Sequence, residues 1–398
     1  MRILLVPQND WMTHPNPMRH HFLVKRLAHT HACQIYVLNF DGLGGPRTAM
    51  NPELVVDRNI CLVGQNSLPG RNPALYYVLN SKHISDLVLH AIRDLKVEVV
   101  LNSNVLPSAI ATNLAHRMNI PLVYDFVEYY PQSASAYFKN PLAKAVASGI
   151  VQKLMNYIIR GSSTVVTVSD SHAKLVRKID PTKPVHVVPN GVDLRMLSHA
   201  DLNRPIRHRK AGARELSLVY VGSVDEWVDL EVVLSAVGKL NHEGYRICLK
   251  VVGGSHGGFY LDRLKSIVAC SDFRRDVQFT GFVPYHLVPQ YLRNADVALA
   301  PYKKSIKNDV TPLKILEYLA CRKIVLCTPL PEIKRRFGDF LWFYDDAEDL
   351  ARLLRLVSSD RPFMEEKLKH ADRILADYSW DKLADRYYQI IESAVVNR

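Results

Sequence analysis

Residues 307–320 read Lys307-Asn308-Asp309-Val310-Thr311-Pro312-Leu313-Lys314-Ile315-Leu316-Glu317-Tyr318-Leu319-Ala320. They follow Val297-Ala298-Leu299-Ala300-Pro301, an apolar run typical of a buried strand. The pattern predicts a strand, then a loop, and then the first turns of an apolar helix. The N-terminus of such a helix presents oriented N–H groups and the positive end of the helix dipole, which together favour a phosphate group.

Two carboxylates flank this helix start. Asp309 and Glu317 stand eight residues apart, and carboxylates accept hydrogen bonds from sugar hydroxyl groups. The stretch therefore fits a bound nucleotide-sugar, with the diphosphate at the helix N-terminus, the ribose at one carboxylate and the hexose at the other. A solvated turn aspartate and a helix-surface glutamate are the alternative interpretation.

The same residues resemble a known family. Asp309 and Glu317 are similar to the E-x7-E element of the family-4 retaining glycosyltransferases, with Asp in place of the first Glu. The residues from Thr311 to Ala320 resemble one branch of that family. Further segments occur in the family's order: Val187-Val188-Pro189-Asn190-Gly191-Val192-Asp193, Tyr220-Val221-Gly222, Phe279-Thr280-Gly281-Phe282-Val283-Pro284, Ala295-Asp296-Val297 and Ser379-Trp380.

The resemblance implies the GT-B fold, which consists of two doubly wound, Rossmann-like α/β domains facing a cleft. The chain's own pattern agrees, because short apolar strands alternate with amphipathic helices and 398 residues exceed one ordinary core. We place an N-terminal acceptor-side domain at 1–195 and a C-terminal nucleotide-sugar-binding domain at 196–379. By resemblance, the helix within 380–398 completes the N-terminal domain.

Apolar runs predict six strands in each domain. In the first domain they are 2–7, 34–39, 97–101, 121–125, 164–168 and 185–188, and in the second they are 216–221, 247–252, 276–280, 296–300, 324–327 and 341–344.

The resemblance also implies roles for residues of the C-terminal domain. Glu317 would bind the ribose hydroxyls and Asp309 the hexose hydroxyls. The diphosphate would meet the backbone amides of Val310, Thr311 and Leu313.

Three further motifs acquire donor-side roles from the resemblance. Gly222 and Ser223 would lie beside the donor, and Gly281 and Phe282 would lie against the nucleobase. Asn190 would lie in a turn that faces the cleft. An ordinary strand end at Gly281 and an ordinary tight turn at Asn190-Gly191 are the alternatives.

The largest departure from the family pattern follows Gly222. Relatives carry Arg at the position of Ser223 and Lys at that of Val228, and both reach the donor diphosphate. We interpret Lys314 as their replacement, because a cation in the first helical turn opposes the helix dipole and an anionic ligand would explain it. Help could come from Lys303, Lys304 or Lys307. A donor bound in a different way is the alternative.

The N-terminal domain is expected to supply the acceptor side. The loop after the first strand has no glycine, unlike that of most relatives, and Asp10, Arg19 and His20 are its candidate cleft residues. Asn102 follows another strand at the rim that holds ligands in open α/β sheets. Asp125 and Glu128 stand where the family often has His. With Asp309 and Lys314, they complete the predicted catalytic set.

Composition limits the cellular compartment and the binding partners that fit this chain. The six cysteines include no C-x-x-C pair, which favours a reducing cytosol and disfavours a metal site. The N-terminal strand is too short for a signal sequence, and no apolar run approaches the roughly 20 residues of a membrane span. The net charge of +12 fits either a basic soluble protein without a special partner or attraction to an anionic partner, and no nucleic-acid-binding motif accompanies it. We therefore expect an acidic membrane surface or a phosphorylated acceptor, and no cofactor besides the nucleotide-sugar co-substrate.

One helix is a candidate for the membrane contact. Residues 141–160 combine an apolar stripe with Lys144, Lys153 and Arg160. A helix packed into the domain core and a helix lying on a membrane surface both fit this pattern.

The predicted function is transfer of a hexosyl group from a nucleotide-diphosphate sugar to a glycan or polyprenyl-phosphate-linked acceptor, with retention of configuration. The predicted location is the cytoplasm, with peripheral attachment to the membrane. A nucleotide-sugar epimerase, with Asp10 or Glu128 as acid/base groups, is one alternative. A non-catalytic binding protein of the same fold is another, and Ser223 and Val228 are the residues that make it conceivable.

Overall fold

The computed structural model describes residues 1–12, 17–43, 58–64, 67–70, 72–135, 140–194, 215–255, 259–304 and 313–397. The chain forms two compact units, Met1–Asn190 with Trp380–Arg398, and Gly191–Ser379. It passes from one unit to the other after Asn190 and returns after Ser379. The boundaries expected from the sequence follow residues 195 and 379.

The first unit is built on a parallel sheet. Its strands are β1 Arg2–Val6, β2 Gln34–Leu38, β3 Ile60–Val63, β4 Val99–Asn102, β5 Leu122–Phe126, β6 Thr164–Thr167 and β7 Val185–Val187. They are ordered β3-β2-β1-β4-β5-β6-β7, and β1 pairs in parallel with both β2 and β4. In β1, residues Ile3 to Val6 are fully buried, as expected for a strand covered on both faces.

Helices connect these strands. They are α1 Arg19–Thr30, α2 Pro73–Leu79, α3 Ser81–Arg93, α4 Leu106–Arg117, α5 Tyr130–Ser135, α6 Pro141–Gly161 and α7 Asp170–Ile179. Local capping fixes the start of several of them: the Asn140 side chain accepts from the amides of Leu142 and Ala143 at the start of α6, where Pro141 occupies the first turn.

The second unit repeats the plan. Its strands are β8 Glu215–Val221, β9 Arg246–Val252, β10 Val277–Gly281, β11 Val297–Ala300, β12 Ile324–Cys327 and β13 Trp342–Phe343. They are ordered β10-β9-β8-β11-β12-β13. The helices are α8 Leu230–His242, α9 Tyr260–Ala269, α10 Val288–Arg293, α11 Leu313–Ala320, α12 Pro331–Phe337, α13 Ala347–Ser359, α14 Arg361–Glu365 and α15 Ala371–Asp377.

The last helix, α16 Trp380–Val396, packs in the first unit. The Trp380 ring stacks on Phe22 of α1 with centroids 5.1 Å apart. On the same helix pair, Arg26 Nε donates to Asp381 Oδ1 at 2.5 Å. The C-terminal helix therefore covers α1, although it is separated from that helix by almost the whole chain.

The predicted α/β class with two parallel sheets is confirmed. The predicted strands match the observed ones within two residues at each end, except that β3 was not predicted. Helices α2 and α5 were not predicted either. All three are short, and β3 carries only Ile60, Cys61, Leu62 and Val63 between polar segments, which gives little periodic signal.

Each sheet has a switch point, where the order of the strands reverses direction. In the first unit it lies between β1 and β4, and in the second it lies between β8 and β11. In open α/β sheets, ligands bind beside the carboxyl ends of the strands at such points. The second switch point brings the residues after β8 next to Tyr302, which follows β11, and next to α11.

Candidate active site

The ammonium group of Lys314 lies at the switch point of the second unit. Lys314 is the second residue of α11 and is partly buried. Its Nζ donates a hydrogen bond to Tyr220 Oη at 3.0 Å. It also lies 4.3 Å from the centre of the Tyr220 ring and 5.3 Å from that of Tyr302, so two aromatic faces attract the cation. Among the described residues, Tyr220 is its only hydrogen-bond partner.

The site requires glycine at position 222. Gly222 has φ +138° and directly follows β8. A Cβ atom there would lie 2.8 Å from Lys314 Nζ. At position 253, with φ +137°, a Cβ would lie 2.0 Å from the carbonyl oxygen of Gly222. The carboxyl ends of β8 and β9 therefore approach each other at glycines. A side chain at position 222 would enter the space that Lys314 occupies, and one at position 253 would clash with the backbone of Gly222.

Lys314 has an unusual pKa. Burial removes water from the ammonium group and lowers its pKa to about 8, although the nearby Glu317 carboxylate acts in the opposite direction. The group is therefore charged near neutral pH and loses its proton in mildly alkaline solution. An anion bound beside it would restore the higher pKa.

Glu317 lies one turn further along α11. It is buried, with 8% of its surface exposed, and its Oε1 accepts a hydrogen bond from Tyr285 Oη at 2.9 Å. Burial raises the pKa of Glu317, while the Tyr285 hydrogen bond and the charge of Lys314 lower it to a smaller extent. Tyr285 was not singled out in the sequence, although it directly follows the quoted segment that ends at Pro284.

Two tyrosines fix these groups to the sheet. Tyr318 Oη accepts from the Val221 amide at 2.8 Å and lies 3.3 Å from the Val221 carbonyl oxygen, which ties α11 to the end of β8. Tyr220 Oη donates to the Ser223 carbonyl at 2.5 Å while it accepts from Lys314. The hydroxyl of Tyr220 therefore connects the cation to the loop after Gly222.

The two positions that depart from the family pattern have different environments. Ser223 is partly buried beside this cation, and its carbonyl is held by Tyr220. Val228 is fully buried in the core, and its backbone forms an antiparallel bridge with Tyr302. A side chain at position 228 therefore points into the core here. Only Ser223 remains beside the Lys314 ammonium group.

Two of the other candidate lysines, Lys303 and Lys304, have anionic partners. Lys303 Nζ donates to Glu226 at 3.1 Å and lies over the Tyr260 ring. Lys304 Nζ donates to Asp345 at 2.6 Å. Lys307, Asp309, Val310 and Thr311 lie outside the described residues, so their predicted roles stay predictions. Leu313 is the first residue of α11 and is partly buried.

Gly281 and Phe282 lie at the end of β10. Gly281 has φ +73°, a conformation that favours glycine. The Phe282 side chain is 45% exposed, and its ring lies against Gly254, where an added Cβ would meet it at 2.7 Å. A half-exposed aromatic ring at the strand ends is compatible with stacking on a nucleobase, which remains a prediction.

In the first unit, Arg19, His20 and Asp125 come together in a buried cluster. The Asp125 carboxylate is fully buried. Its Oδ2 accepts from Arg19 Nε at 2.9 Å and from Tyr387 Oη at 3.0 Å, and it lies 3.0 Å from His20 Nε2. Arg19 also donates to the Pro189 carbonyl at 2.7 Å. The carboxylate therefore joins β5, α1 and α16.

The charge of Asp125 is stabilised within the protein. Burial raises the pKa of its carboxyl group, but Arg19 and His20 outweigh that effect and lower the pKa to about 2. One oxygen receives all three contacts, while Oδ1 and Arg19 Nη2 are buried without hydrogen-bond partners in the described structure. These contacts tie β5, α1 and α16 together, and the predicted catalytic role of Asp125 stays a prediction.

Four predicted site residues of the first unit remain: Asp10 and Asn102 on the acceptor side, Glu128 in the catalytic set and Asn190 on the donor side. Asp10 is buried, and its Oδ1 accepts from the Met12 amide at 2.9 Å. Asn102 is fully buried and donates to the Ser108 carbonyl in α4 at 3.1 Å. Glu128 and Asn190 are partly buried. The structure gives none of these four residues a position that tests its predicted role.

Asn104, which the sequence analysis did not single out, organises the first switch point. Its Nδ2 lies 3.0 Å from the carbonyls of both Pro7 and Gln8, and 2.9 Å from Tyr77 Oη. The loop after β1 is therefore fixed to the loop after β4 by a side-chain amide.

No group of three or more His, Cys, Asp or Glu side chains in the described residues could hold a metal ion. All six cysteines lie in the described part, where none forms a disulfide. Within the same residues, no helix is long and apolar enough to cross a membrane.

Family comparison agrees with this geometry. The family model of glycosyl transferases group 1 matches residues 205–393, and that of glycosyltransferase family 4 matches residues 21–195. The chain belongs to the group 1 glycosyltransferases. The first of these matches contains the whole Lys314 site, and the second contains Asp125.

Curated relatives are distant. A Bacillus subtilis protein named as a teichuronic acid biosynthesis glycosyltransferase, TuaH, is 25% identical over 230 residues, which are 57% of this chain and 55% of that protein. An Escherichia coli protein named as a colanic acid biosynthesis glycosyltransferase, WcaL, is 26% identical over 208 residues, or 50% of this chain and 49% of that one. The chain spans about half the length of the curated relatives it matches.

Solved structures share the fold of the whole chain. Sucrose-phosphate synthase from Thermosynechococcus elongatus has a TM-score of 0.75 at 14% identity, with 100% of both chains covered. Anabaena HepE in complex with UDP-glucose has a TM-score of 0.67 at 13% identity, with 99% of this chain and 100% of that chain covered. The GT-B fold predicted from the sequence is confirmed.

The structural role of Asp125 can be tested by Asp125→Asn. This change leaves Arg19 as a buried cation without its counter-charge, so we expect the free energy of unfolding at neutral pH to fall by about 3–5 kcal/mol. Urea unfolding measures the change.

Asp381→Asn is the matched control for this test. Asp381 also pairs an arginine of α1 with α16, but its side chain is 76% exposed, and we expect a loss below about 1 kcal/mol. Normal stability together with abolished turnover in Asp125→Asn would show that the carboxylate acts in catalysis and would contradict the structural assignment.

Proposed function

We propose that this glycosyltransferase moves a hexosyl group from a nucleoside-diphosphate sugar to an acceptor, with retention at the anomeric carbon. The observation that carries the proposal is the pair formed by Lys314 and Glu317 on α11. Both are buried or partly buried charges at the carboxyl ends of the strands, where the fold binds ligands.

Each of the two groups matches one part of such a donor. Lys314 offers a cation with one hydrogen-bond partner in the described structure, and a diphosphate would supply the opposite charge. Glu317 accepts one hydrogen bond from Tyr285, and a carboxylate accepts several, so it can also receive the ribose hydroxyls. The spacing of one helical turn places the two ligand groups next to each other.

The proposed reaction needs no protein nucleophile. The bond from the anomeric carbon to the diphosphate oxygen breaks as the acceptor oxygen forms its bond on the same face of the sugar. The leaving diphosphate takes the acceptor proton. Lys314 stabilises the negative charge that develops on the diphosphate, and its fixed position means that little reorganisation is required during the step. No metal ion or further cofactor is proposed.

The relatives support this choice of substrates. HepE is named in complex with UDP and UDP-glucose, which supports a nucleoside-diphosphate sugar as donor. TuaH and WcaL are named for teichuronic and colanic acid biosynthesis, which supports a growing glycan, free or linked to polyprenyl phosphate, as acceptor. We propose that the reaction takes place at the cytoplasmic side of the membrane.

A donor screen tests the function directly. Nucleoside-diphosphate sugars that bind raise the melting temperature by mass action, and those that bind are then incubated with and without acceptors. Transfer to an acceptor with the anomeric configuration retained supports the proposal. Epimerised donor in the absence of acceptor identifies an epimerase, and the absence of any stabilising donor contradicts both activities.

Glu317→Gln is expected to weaken donor binding. The variant keeps the shape of the side chain but loses the charge that accepts the ribose hydroxyls, so the donor Kd should rise roughly 10- to 100-fold, at about 1.5–3 kcal/mol per charged hydrogen bond. Calorimetry measures Kd, and the melting temperature without ligand should barely change. Glu332→Gln, another buried carboxylate of this unit that pairs with Arg335 and Arg336, should leave donor affinity intact. If Glu317→Gln unfolds, Glu317 is required for the fold and its proposed donor-binding role is contradicted.

Lys314→Ala is expected to reduce the rate of transfer by about 10²–10³, since one well-placed donor to the developing charge is removed. Ser223→Arg in the same protein should restore part of the rate, because position 223 adjoins the space vacated by the ammonium group. Lys303→Ala removes a lysine that is already paired with Glu226 and serves as the control. A Lys314→Ala protein with near-normal turnover would disprove the replacement of the family's cations by Lys314.

A further inference from the structure

The first half of α6 exposes an apolar stripe. Leu142, Val146 and Ile150 follow one another at one-turn intervals and are 73%, 53% and 55% exposed. Water-facing positions of a surface helix normally carry polar side chains. Over the first three turns of α6, apolar side chains occupy the water-facing positions instead.

The other side of the same helix shows why this stripe is outside the core. Met155, Ile158 and Ile159 in the second half of α6 are fully buried. They lie on the side of the helix opposite to Leu142 and Val146. The second half of α6 therefore packs into the first unit through one face. The stripe lies on the other face and is exposed in the described structure.

Positive charge continues the exposed face. Lys153, Tyr157 and Arg160 lie on the same side as the stripe, further toward the C-terminus, and all three are exposed. Lys144 adds a further exposed cation, and α6 contains no Asp or Glu. None of these three cations has an ion pair within the described residues. The exposed face of α6 is therefore apolar toward the N-terminus and basic toward the C-terminus. This combination fits an anionic membrane, which has charged headgroups above an apolar interior.

A second exposed apolar group lies on α2. In α2, Leu75, Val78 and Leu79 are 56%, 58% and 52% exposed. Both α2 and α6 contact α4. Exposed apolar groups therefore occur on two helices that pack against the same neighbour.

We propose that the α6 surface, defined as Leu142, Val146, Ile150, Lys153, Tyr157 and Arg160, binds anionic phospholipid. Apolar side chains would enter the boundary between headgroups and acyl chains, and the two cations would contact the lipid phosphates. The inference deepens the proposed function and rests on it for one point, the presence of the acceptor at a membrane.

Co-sedimentation of the whole protein with phosphatidylcholine vesicles, with and without phosphatidylglycerol, tests this surface. Binding should require phosphatidylglycerol and should decrease with salt. Replacing Lys153 and Arg160 by Gln should weaken binding about fivefold per cation. The triple change Leu142→Gln, Val146→Gln and Ile150→Gln should weaken it by about tenfold or more, because the apolar contact is lost.

Matched controls carry the same chemical changes elsewhere. Lys174→Gln with Arg177→Gln removes two exposed cations of α7, and Phe259→Gln removes an apolar side chain that is 83% exposed. Both proteins should bind vesicles as the unchanged chain does. Equal loss of binding in the controls, or equal binding to neutral and acidic vesicles, would overturn the proposal.

Two further measurements separate the possible failures. Sedimentation velocity shows whether the α6 surface joins two copies of the chain: a dimer that the triple Gln variant converts to a monomer would overturn lipid binding as its role. Donor binding by thermal shift is measured on the same variants and should be unchanged. If the unchanged chain binds donor but not vesicles, the lipid-binding surface is rejected and the proposed function stands. If it binds vesicles but no donor, the proposed function is rejected.

Discussion

The ammonium group of Lys314 is held away from water between the Tyr220 and Tyr302 rings, next to the backbone of Gly222. Removing a charge from water costs free energy unless other groups compensate for it. The neighbours of this ammonium group supply part of that compensation. Gly222 leaves room for it, Tyr220 accepts its hydrogen bond, and Tyr318 fixes the helix that carries it to the end of β8. The lowered pKa of Lys314 is the measurable sign that the compensation is incomplete.

The buried charge of the first unit is in the opposite situation. Asp125 receives contacts from Arg19, His20 and Tyr387, and its pKa is lowered to about 2, which means that the protein itself stabilises the charged form. A buried charge that is compensated by the protein holds the fold together. Lys314 is in the opposite situation, because its lowered pKa means that the protein disfavours the charged form, and an anionic ligand would supply the missing compensation. This difference is why we propose a structural role for Asp125 and a donor-binding role for Lys314.

The sequence predicted the architecture well, because parallel strands buried on both faces leave long apolar runs separated by helical periodicity. It missed β3 and α2, whose runs are too short to give a period. It identified Lys314 and Glu317 because they are charged residues in an apolar helix. It did not identify Tyr220, Tyr285, Tyr302 or Tyr387 as partners, because a tyrosine in an apolar run has the same pattern whether its hydroxyl is buried against a charge or not.

The exposed stripe of α6 shows a second limit of sequence reasoning. Apolar residues one turn apart indicate an amphipathic helix, but the pattern does not say what covers the apolar face. The structure shows that the stripe at Leu142, Val146 and Ile150 is exposed while Met155, Ile158 and Ile159 are buried. Likewise, the sequence placed Val228 at a donor-side position, and only the structure shows that its side chain belongs to the core.

Proton uptake on donor binding tests the central claim, that Lys314 is the cation that meets the diphosphate. Calorimetry near pH 8, in buffers of different ionisation enthalpy, gives the number of protons taken up as a nucleoside-diphosphate sugar binds. With the pKa of Lys314 near 8 in the free protein, binding of the anion should take up about half a proton, falling toward zero about one to two pH units lower. Lys314→Arg, which keeps its charge throughout, should bind without uptake. Absence of uptake by the unchanged protein, or equal uptake by Lys314→Arg, would contradict the account.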